Sequence, residues 1–297
     1  MCQQPSKPFI QEKIAFYGAG SMAEAIVRGL IARSVVTPEQ IMMLNRSGSD
    51  RLAELRSRYG VLASNDPEQK TEFLSTYPII VLAMKPKDTA EAIRSLGPLL
   101  SPGQLIVSVI AGLSIRTLQG LLGTAQPVVR TMPNTSSSIG LGATGIAFSK
   151  EVDEERRQLV HHMFEAVGTV SVIDEERMEI LTGISGSGPA YIYYMMEAMI
   201  AAGIRGGLKE EQSAALTVQT VLGAARMVQQ TGETPAALRK KVTSPNGSTQ
   251  AALEVLDKGD FFETIIAAVH RCAERSREMG SALDKELAGP DRDRYHH

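Results

Sequence analysis

The segment running from Lys13 through Gly18, Ala19, Gly20, Ser21 and Met22 to Ala23 constrains the fold more than any other part of the chain. Four apolar residues, Ile14–Tyr17, read as a buried strand. Two closely spaced glycines read as a tight turn, and Met22–Arg33 as a helix. Gly18 and Gly20 let the backbone turn and approach a pyrophosphate, while Ala23 fills the small position where helix meets strand. Exposed N–H groups at the new helix start, with its dipole, would hold the phosphates. Gly18, Ala19, Gly20, Ser21 and Met22 are therefore the first candidate ligand-binding residues.

The pattern repeats down the first half of the chain. Ile41–Leu44, Ile79–Met84, Leu105–Ile110 and Val128–Thr131 are further Val- and Ile-rich runs bounded by Gly, Pro or Asn. Helical segments are expected at Met22–Arg33, Thr89–Leu96 and Ser114–Leu121. Alternating strands and helices with right-handed crossovers imply an α/β, mostly parallel, doubly wound sheet of the Rossmann type. Gly142–Phe148 and Gly168–Ile173 add two strands around a helix over Asp153–Ala166. Beyond Asp174 the strand signal disappears, and Pro189–Ile204, Glu210–Gln230, Thr249–Asp257 and Phe261–Met279 read as helices. The expected division is a dinucleotide-binding domain over 1–174, an all-α domain over 175–285, and a polar, frayed tail over 286–297. The helix Pro189–Ile204 is apolar almost all round, and Glu210–Gln230 nearly so, which predicts that another subunit covers them.

Composition narrows the function classes. Lys and Arg number 31 against 33 Asp and Glu, a balance without the basic footprint of a nucleic-acid partner. Cys2 and Cys272 form no CxxC pair and cannot build a disulfide framework, which fits a reducing, cytoplasmic setting. The start of the chain lacks the apolar run of a secretory signal. The longest apolar stretch, Ala190–Ala202, is interrupted by Glu197 and falls short of the roughly 20 residues that span a bilayer. No membrane partner is expected. The five histidines lie at no metal-ligand spacing, so no metal is expected.

Which dinucleotide is bound is read at the second strand. Enzymes using NAD place an acid about 20 residues beyond the glycines, on the ribose 2′-hydroxyl. Here the strand ends Asn45-Arg46-Ser47. Arg46 can pair with a 2′-phosphate, with Asn45 and Ser47 as additional hydrogen-bond partners. NADPH is favoured, with NADH as the alternative. Ala83, Met84, Lys85 and Pro86 after one strand, and Met132, Pro133 and Asn134 after another, belong at the carboxyl edge where a nicotinamide should lie.

A second candidate site precedes the helix Thr249–Asp257. In Ser244-Pro245-Asn246-Gly247-Ser248-Thr249, proline bends the chain and Asn246 and Gly247 tolerate positive φ. Successive N–H groups can then converge on an anion of carboxylate size. Ser248 or Thr249 can also cap the helix, and an N-capped turn with no ligand is the competing reading. Another turn, Ser185-Gly186-Ser187-Gly188-Pro189, opens the long apolar helix with Ser187 as a candidate cap. No Ser–His–Asp or Cys–His arrangement accompanies these turns. Tyr193, Tyr194, Met195, Met196 and Met199 read as packing residues, and His270 as a core histidine.

Taken together the motifs resemble pyrroline-5-carboxylate reductases. The matching segments are Gly18–Met22, Val81–Pro86, Ser108–Ser114, Val129–Thr135, Ser185–Tyr191 and Val242–Thr249, in family order over nearly the whole chain. The resemblance implies NAD(P)H as hydride donor and reduction of 1-pyrroline-5-carboxylate to L-proline, the last step of proline biosynthesis. It also implies a helical domain interlocked in a homodimer, often assembled further into a decamer. By position, the Ser244–Thr249 turn would hold the substrate carboxylate, the Thr249 hydroxyl would reach the ring nitrogen, and Asn65 would touch the cofactor. Three positions depart from the family pattern: Asn246 where a glycine is usual, Ser136 where a proline is usual, and Lys240 where an acid is common. A protonated cyclic imine accepts hydride directly, so the protein has mainly to position two rings and bind one carboxylate. Two other readings stay open from sequence. One is a dehydrogenase of another small carboxylate, which would need a lysine on the apolar helix. The other is a nucleotide-binding regulatory protein of the same fold.

Overall fold

The computed structural model describes residues 8–46, 48–84, 89–123 and 125–288. They form two compact units. One comprises the described residues up to Gly186 and from Cys272 onward, the other Ser187–Arg271.

The first unit is built on eight strands: β1 (Ile14–Tyr17), β2 (Ile41–Leu44), β3 (Leu62–Ser64), β4 (Ile79–Leu82), β5 (Leu105–Ser108), β6 (Val128–Met132), β7 (Gly142–Phe148) and β8 (Gly168–Val172). They lie in the order β3-β2-β1-β4-β5-β6-β7-β8. All neighbours are parallel except β6 and β7. The order reverses at β1, the point where ligands of open α/β sheets collect.

Side chains of the inner strands alternate between two cores, as the two-residue period of a strand requires. Ile14 and Phe16, with Ile41, Met43, Ile79 and Val81, pack on one face. There they meet α1 (Ser21–Ala32), α2 (Ser49–Tyr59) and α6 (Glu154–Glu165), through Ile26, Leu30, Leu55 and Phe164. Ala15, Tyr17, Met42, Leu44, Ile80 and Leu82 face the other way. They meet α3 (Pro67–Thr76), α4 (Thr89–Leu96) and α5 (Ile115–Leu122), through Leu74, Ile93 and Leu118. Because both faces are covered, β1, β2 and β4 are continuously apolar.

After β8 comes a short helix, α7 (Met178–Leu181), continued by a π-helical turn over Thr182–Gly186. It is tied back to the sheet by the buried Arg130 of β6, which pairs with Glu175 at 3.2 Å and Glu179 at 3.0 Å. Glu175 also accepts the N–H of Ile115 at the start of α5, at 2.8 Å.

The second unit is helical, with α8 (Gly188–Arg205), α9 (Glu210–Thr231), α10 (Pro235–Lys241), α11 (Ser248–Lys258) and the first part of α12 (Phe261–Ala288). Helices α8 and α9 approach closely at Gly203, where a Cβ would stand 2.1 Å from Ser213 Oγ. That hydroxyl instead donates to the Ile200 carbonyl at 2.9 Å. No residue of α8 is buried in the chain alone. Tyr194 is 76% exposed and Leu216 60%, so the apolar surface expected to meet a partner is open to solvent in one copy.

Several sequence expectations change. Strand β3 and helices α2, α3 and α10 were not anticipated, because they carry few apolar residues. Strands β4 and β5 stop two residues earlier than expected, at Leu82 and Ser108. Helix α12 does not end at Met279. It runs to Ala288, with Leu283 packed on the second core and Asp284 hydrogen-bonded to Thr117. Gly280 permits this docking, since a Cβ there would lie 2.9 Å from the Gly112 carbonyl oxygen.

Gly29 of α1 packs on the α6–β8 connection, where a Cβ would lie 2.5 Å from Val167 Cγ1 and 2.8 Å from the Ala166 oxygen. Gly29→Ala gains about 1 kcal/mol of helix propensity but overpacks a backbone carbonyl that cannot swing away. A net loss of about 1 kcal/mol is expected, the middle of what remains when that gain is set against an overpacking cost of about 1–3 kcal/mol. A urea midpoint equal to or above the wild-type value would contradict it.

Candidate active site

Parallel pairing brings the carboxyl ends of β1 to β6 to one edge of the sheet, and with them most of the expected cofactor residues. Gly18 turns the chain away from β1 at φ 117°. Its N–H donates to the Leu44 carbonyl at 2.8 Å, and Ala83 N–H donates to the Tyr17 carbonyl at 2.9 Å. A Cβ on Gly18 would stand 2.5 Å from the Ala83 oxygen. Gly20 is the N-cap of α1, and no side chain caps the helix. A Cβ on Gly20 would find only the Ala83 oxygen within reach, at 4.0 Å. Ala19 is buried, Gly20 and Ser21 are exposed, and Met22 packs half-buried on the core. An open cradle of first-turn N–H groups, with no capping side chain in it, fits a dinucleotide pyrophosphate. By contrast Asp66, Ser114 and Asp153 cap α3, α5 and α6 with their own side chains.

Beyond β2, Asn45 is half-buried and Arg46 exposed; its N–H reaches the Ser64 carbonyl at 3.3 Å in the case of Asn45. Asn65 follows β3 on the same edge and is exposed. Ala83 and Met84 follow β4 half-buried; Ser47, Lys85 and Pro86 lie outside the described residues. Met132 ends β6 and Pro133 and Asn134 follow it, but the Asn134 amide is used within the protein. Its Nδ2 donates to the Ser185 carbonyl at 2.9 Å and its Oδ1 accepts from Ala143 N–H at 3.2 Å. The side chain thus fastens the Thr182–Gly186 turn to the end of β6.

One cluster went unrecognised in the sequence. Arg51, in the first turn of α2, donates from Nε to the Ala19 carbonyl at 3.3 Å and also pairs with Glu24 of α1. Arg58 and Tyr59 converge on the same carboxylate at 2.9 and 2.7 Å. Burial raises the Glu24 pKa, but the bonds from Arg51, Tyr59 and Arg58 outweigh it and hold the group at about 2. The glycine turn is thereby pinned to α2 through its carbonyl. The only sequence signal was the Arg-x₆-Arg-Tyr spacing of Arg51, Arg58 and Tyr59, readable once α2 is known to be helical.

In the second unit, the turn before α11 is ordered by its own backbone. Asn246 is left-handed at φ 59°, and Gly247 N–H donates to the Ser244 carbonyl at 3.0 Å. A Cβ on Gly247 would lie 2.4 Å from Ser244 Oγ. Gly247 is the N-cap and no side chain caps the helix, so neither Ser248 nor Thr249 has the capping role expected of it. The helix simply starts one residue earlier than its pattern suggested. Ser244, Pro245, Asn246 and Ser248 are exposed and Thr249 is half-buried. Ser187 likewise makes no capping bond at α8, because the π-turn runs directly into that helix.

A glycine-lined, uncapped helix start on the first strand of a doubly wound sheet, with Arg46 beyond the second, defines a dinucleotide-dependent oxidoreductase. Residues 175–279 match the family described as Pyrroline-5-carboxylate reductase dimerisation, and residues 13–112 that described as NADP oxidoreductase coenzyme F420-dependent. Pyrroline-5-carboxylate reductase 1 of Bacillus spizizenii is 43% identical over 280 residues, covering 94% of this chain and 93% of the relative. The Arabidopsis thaliana pyrroline-5-carboxylate reductase is 37% identical over 270 residues, covering 91% and 96%. Among solved structures, the Coxiella burnetii pyrroline-5-carboxylate reductase superimposes with a TM-score of 0.85 at 37% identity, over 91% of this chain and 98% of that one. The Plasmodium falciparum pyrroline carboxylate reductase with NADP bound gives 0.80 at 30% identity, with the same coverage. The chain belongs to the pyrroline-5-carboxylate reductase family.

Because the Glu24 carboxyl is depressed in the fold, its stabilising contribution is complete above its ordinary value of 4.5 and lost as pH falls toward about 2. The stability gap between wild type and Glu24→Gln should be constant near neutrality and narrow below about pH 4.5. Urea midpoints at pH 7, 5, 4 and 3 test this; a gap unchanged at pH 3 would disprove the depressed carboxylate.

Proposed function

We propose that this chain reduces 1-pyrroline-5-carboxylate to L-proline with NADPH. The observation that carries the reading is that α1 and α11, two of the three described helices with an uncapped glycine start, open from the turns whose residues match this family. Each lacks a side-chain cap where an anion is expected. First-turn N–H groups from Ser21 and Met22, beside Gly18, Ala19 and Gly20, hold the pyrophosphate. Arg46 pairs with the 2′-phosphate, with Asn45 and Ser47 beside it, and Asn65 contacts the cofactor from the next strand. The backbone at Ala83, Met84, Lys85 and Pro86, and at Met132, Pro133 and Asn134, borders the nicotinamide. When bound, NADPH supplies a hydride to the carbon of the substrate's C=N bond.

The Ser244, Pro245, Asn246, Gly247, Ser248 and Thr249 turn binds the substrate carboxylate through backbone N–H groups. The Thr249 hydroxyl holds the ring nitrogen. A protonated imine already carries its positive charge, so no side-chain acid is required at that step. The exposed apolar faces of α8 and α9 meet a second copy, giving a homodimer through the C-terminal helices. Further assembly to a decamer is part of the same reading. The domains then follow function: a dinucleotide-binding region over 1–174, a helical dimerisation and substrate region over 175–285, and a tail beyond. The cytoplasm is the proposed location, on the low cysteine content.

Loss of NADPH absorbance with 1-pyrroline-5-carboxylate is the direct test, run beside piperideine-6-carboxylate and with NADH in parallel. Turnover of the five-membered imine is expected, with NADPH preferred; binding of NADPH without oxidation by either imine would favour a regulatory role. Thr249→Ala should lower kcat by roughly 10–1000-fold, as loss of other positioned donors does, while NADPH affinity persists. Unchanged turnover would remove Thr249 from the mechanism. Arg46→Ala should erode the preference for NADPH over NADH by about 10–100-fold, since a hydrogen bond to a charged group contributes about 1.5–3 kcal/mol. An unaltered NADPH/NADH ratio of kcat/KM would place the 2′-phosphate elsewhere.

A further inference from the structure

The turn that opens α11 contains a hydrogen bond from a residue outside the proposed contact set. Gln250 is the third residue of α11, and its Oε1 accepts the N–H of Asn246 at 2.9 Å. In a capping box, the side chain at this helical position reaches back to the N–H of the N-cap residue. Here the N-cap is Gly247, whose N–H already donates to the Ser244 carbonyl at 3.0 Å. The Gln250 side chain therefore reaches one residue further back. Its Nε2 donates to Glu254 Oε1 at 3.0 Å, one helical turn on, so the amide oxygen is turned toward the loop.

The conformation of Asn246 makes this bond matter. At φ 59° Asn246 is in the left-handed region, which is disfavoured for any residue with a Cβ and adopted by asparagine as a single residue. Holding its N–H keeps the residue there. The same bond takes one donor out of the set that could meet an anion, and the Ser244 carbonyl takes another. Substrate binding is left to the N–H groups of the first turn of α11, Ser248 and Thr249 among them, which lack intrahelical acceptors.

We infer that Gln250 is a positioning residue for the substrate carboxylate, fixing Asn246 left-handed so that the first-turn N–H groups and the Thr249 hydroxyl share one alignment. It touches neither substrate nor cofactor in this role, and the inference rests on the proposed reduction of a carboxylated imine. Gln250→Met keeps the side-chain length and helix propensity and removes the acceptor. With the full chain and saturating NADPH, KM for 1-pyrroline-5-carboxylate should rise about three- to tenfold, the scale of one neutral hydrogen bond. The kcat should stay within twofold, and KM for NADPH should be unchanged.

Adding Asn246→Gly to that variant supplies a residue that enters the left-handed region freely. It should recover most of the lost KM, which a general loss of folding would not allow. A Gln250→Met KM within twofold of wild type overturns the inference, as does a double variant no better than the single one. So does a fall in kcat together with a rise in KM for NADPH. If wild type itself turns over no imine, the functional reading fails and the inference falls with it; a normal wild type with an indifferent Gln250→Met fails the inference alone.

Discussion

The nucleotide half of this protein depends on one steric fact, the approach of Gly18 to the Ala83 carbonyl. A single added carbon would stand 2.5 Å from that oxygen, and the backbone at φ 117° suits a residue without one. The approach is held from both sides by Gly18 N–H on Leu44 and Ala83 N–H on Tyr17. Three strand ends are thus drawn together at the place where the sheet order reverses. Helix α1 can then start at Gly20 with its first N–H groups open at the sheet edge. Arg51 secures the turn from the third direction, and Glu24 keeps that guanidinium beside the Ala19 carbonyl.

The helix starts differ in how their first turns are satisfied. Asp66, Ser114, Asp153 and Thr234 satisfy the first turns of α3, α5, α6 and α10 with their own side chains, whereas α2 and α8 start without such a cap. At α1 and α11 glycine occupies the cap and no side chain takes the donors. In the proposed reaction these donors serve different anions. A dinucleotide brings several phosphate charges, and Arg46 adds a cation to the helix dipole. The substrate brings one carboxylate together with its own iminium charge, for which neutral N–H groups suffice.

Strands were legible where both faces are buried, because such strands are unbroken apolar runs; Ile14–Tyr17 and Ile41–Leu44 have the bounds read from their residues, as does the more mixed Gly142–Phe148. Strand β3 was not, since three residues with Leu62 exposed leave no pattern. Helix α2 hid for a similar reason, with only Leu52 and Leu55 buried among charged neighbours. Its absence from the sequence reading concealed the Arg51–Glu24 cluster. The glycine turn, the basic end of β2 and the turn before α11 were all read from residue type. The hydrogen bonds that organise the glycine turn join residues far apart in the chain, as Ala83 and Tyr17 are, and no local pattern encodes such pairs.

Residue chemistry alone was enough for the class of fold, the two turns proposed to bind anions and the need for a covering partner. Each follows from a local property: the conformational freedom of glycine, the charge of one arginine, or apolar residues too numerous for a single chain to bury. Tertiary packing was needed to show which polar groups are already spent. It commits the Asn134 amide to the protein, engages Arg51 and Glu24 with each other, and gives the Asn246 N–H to Gln250. A side chain's capacity to bind a ligand is what remains after its neighbours have been satisfied, and those neighbours are set by how the chain comes together.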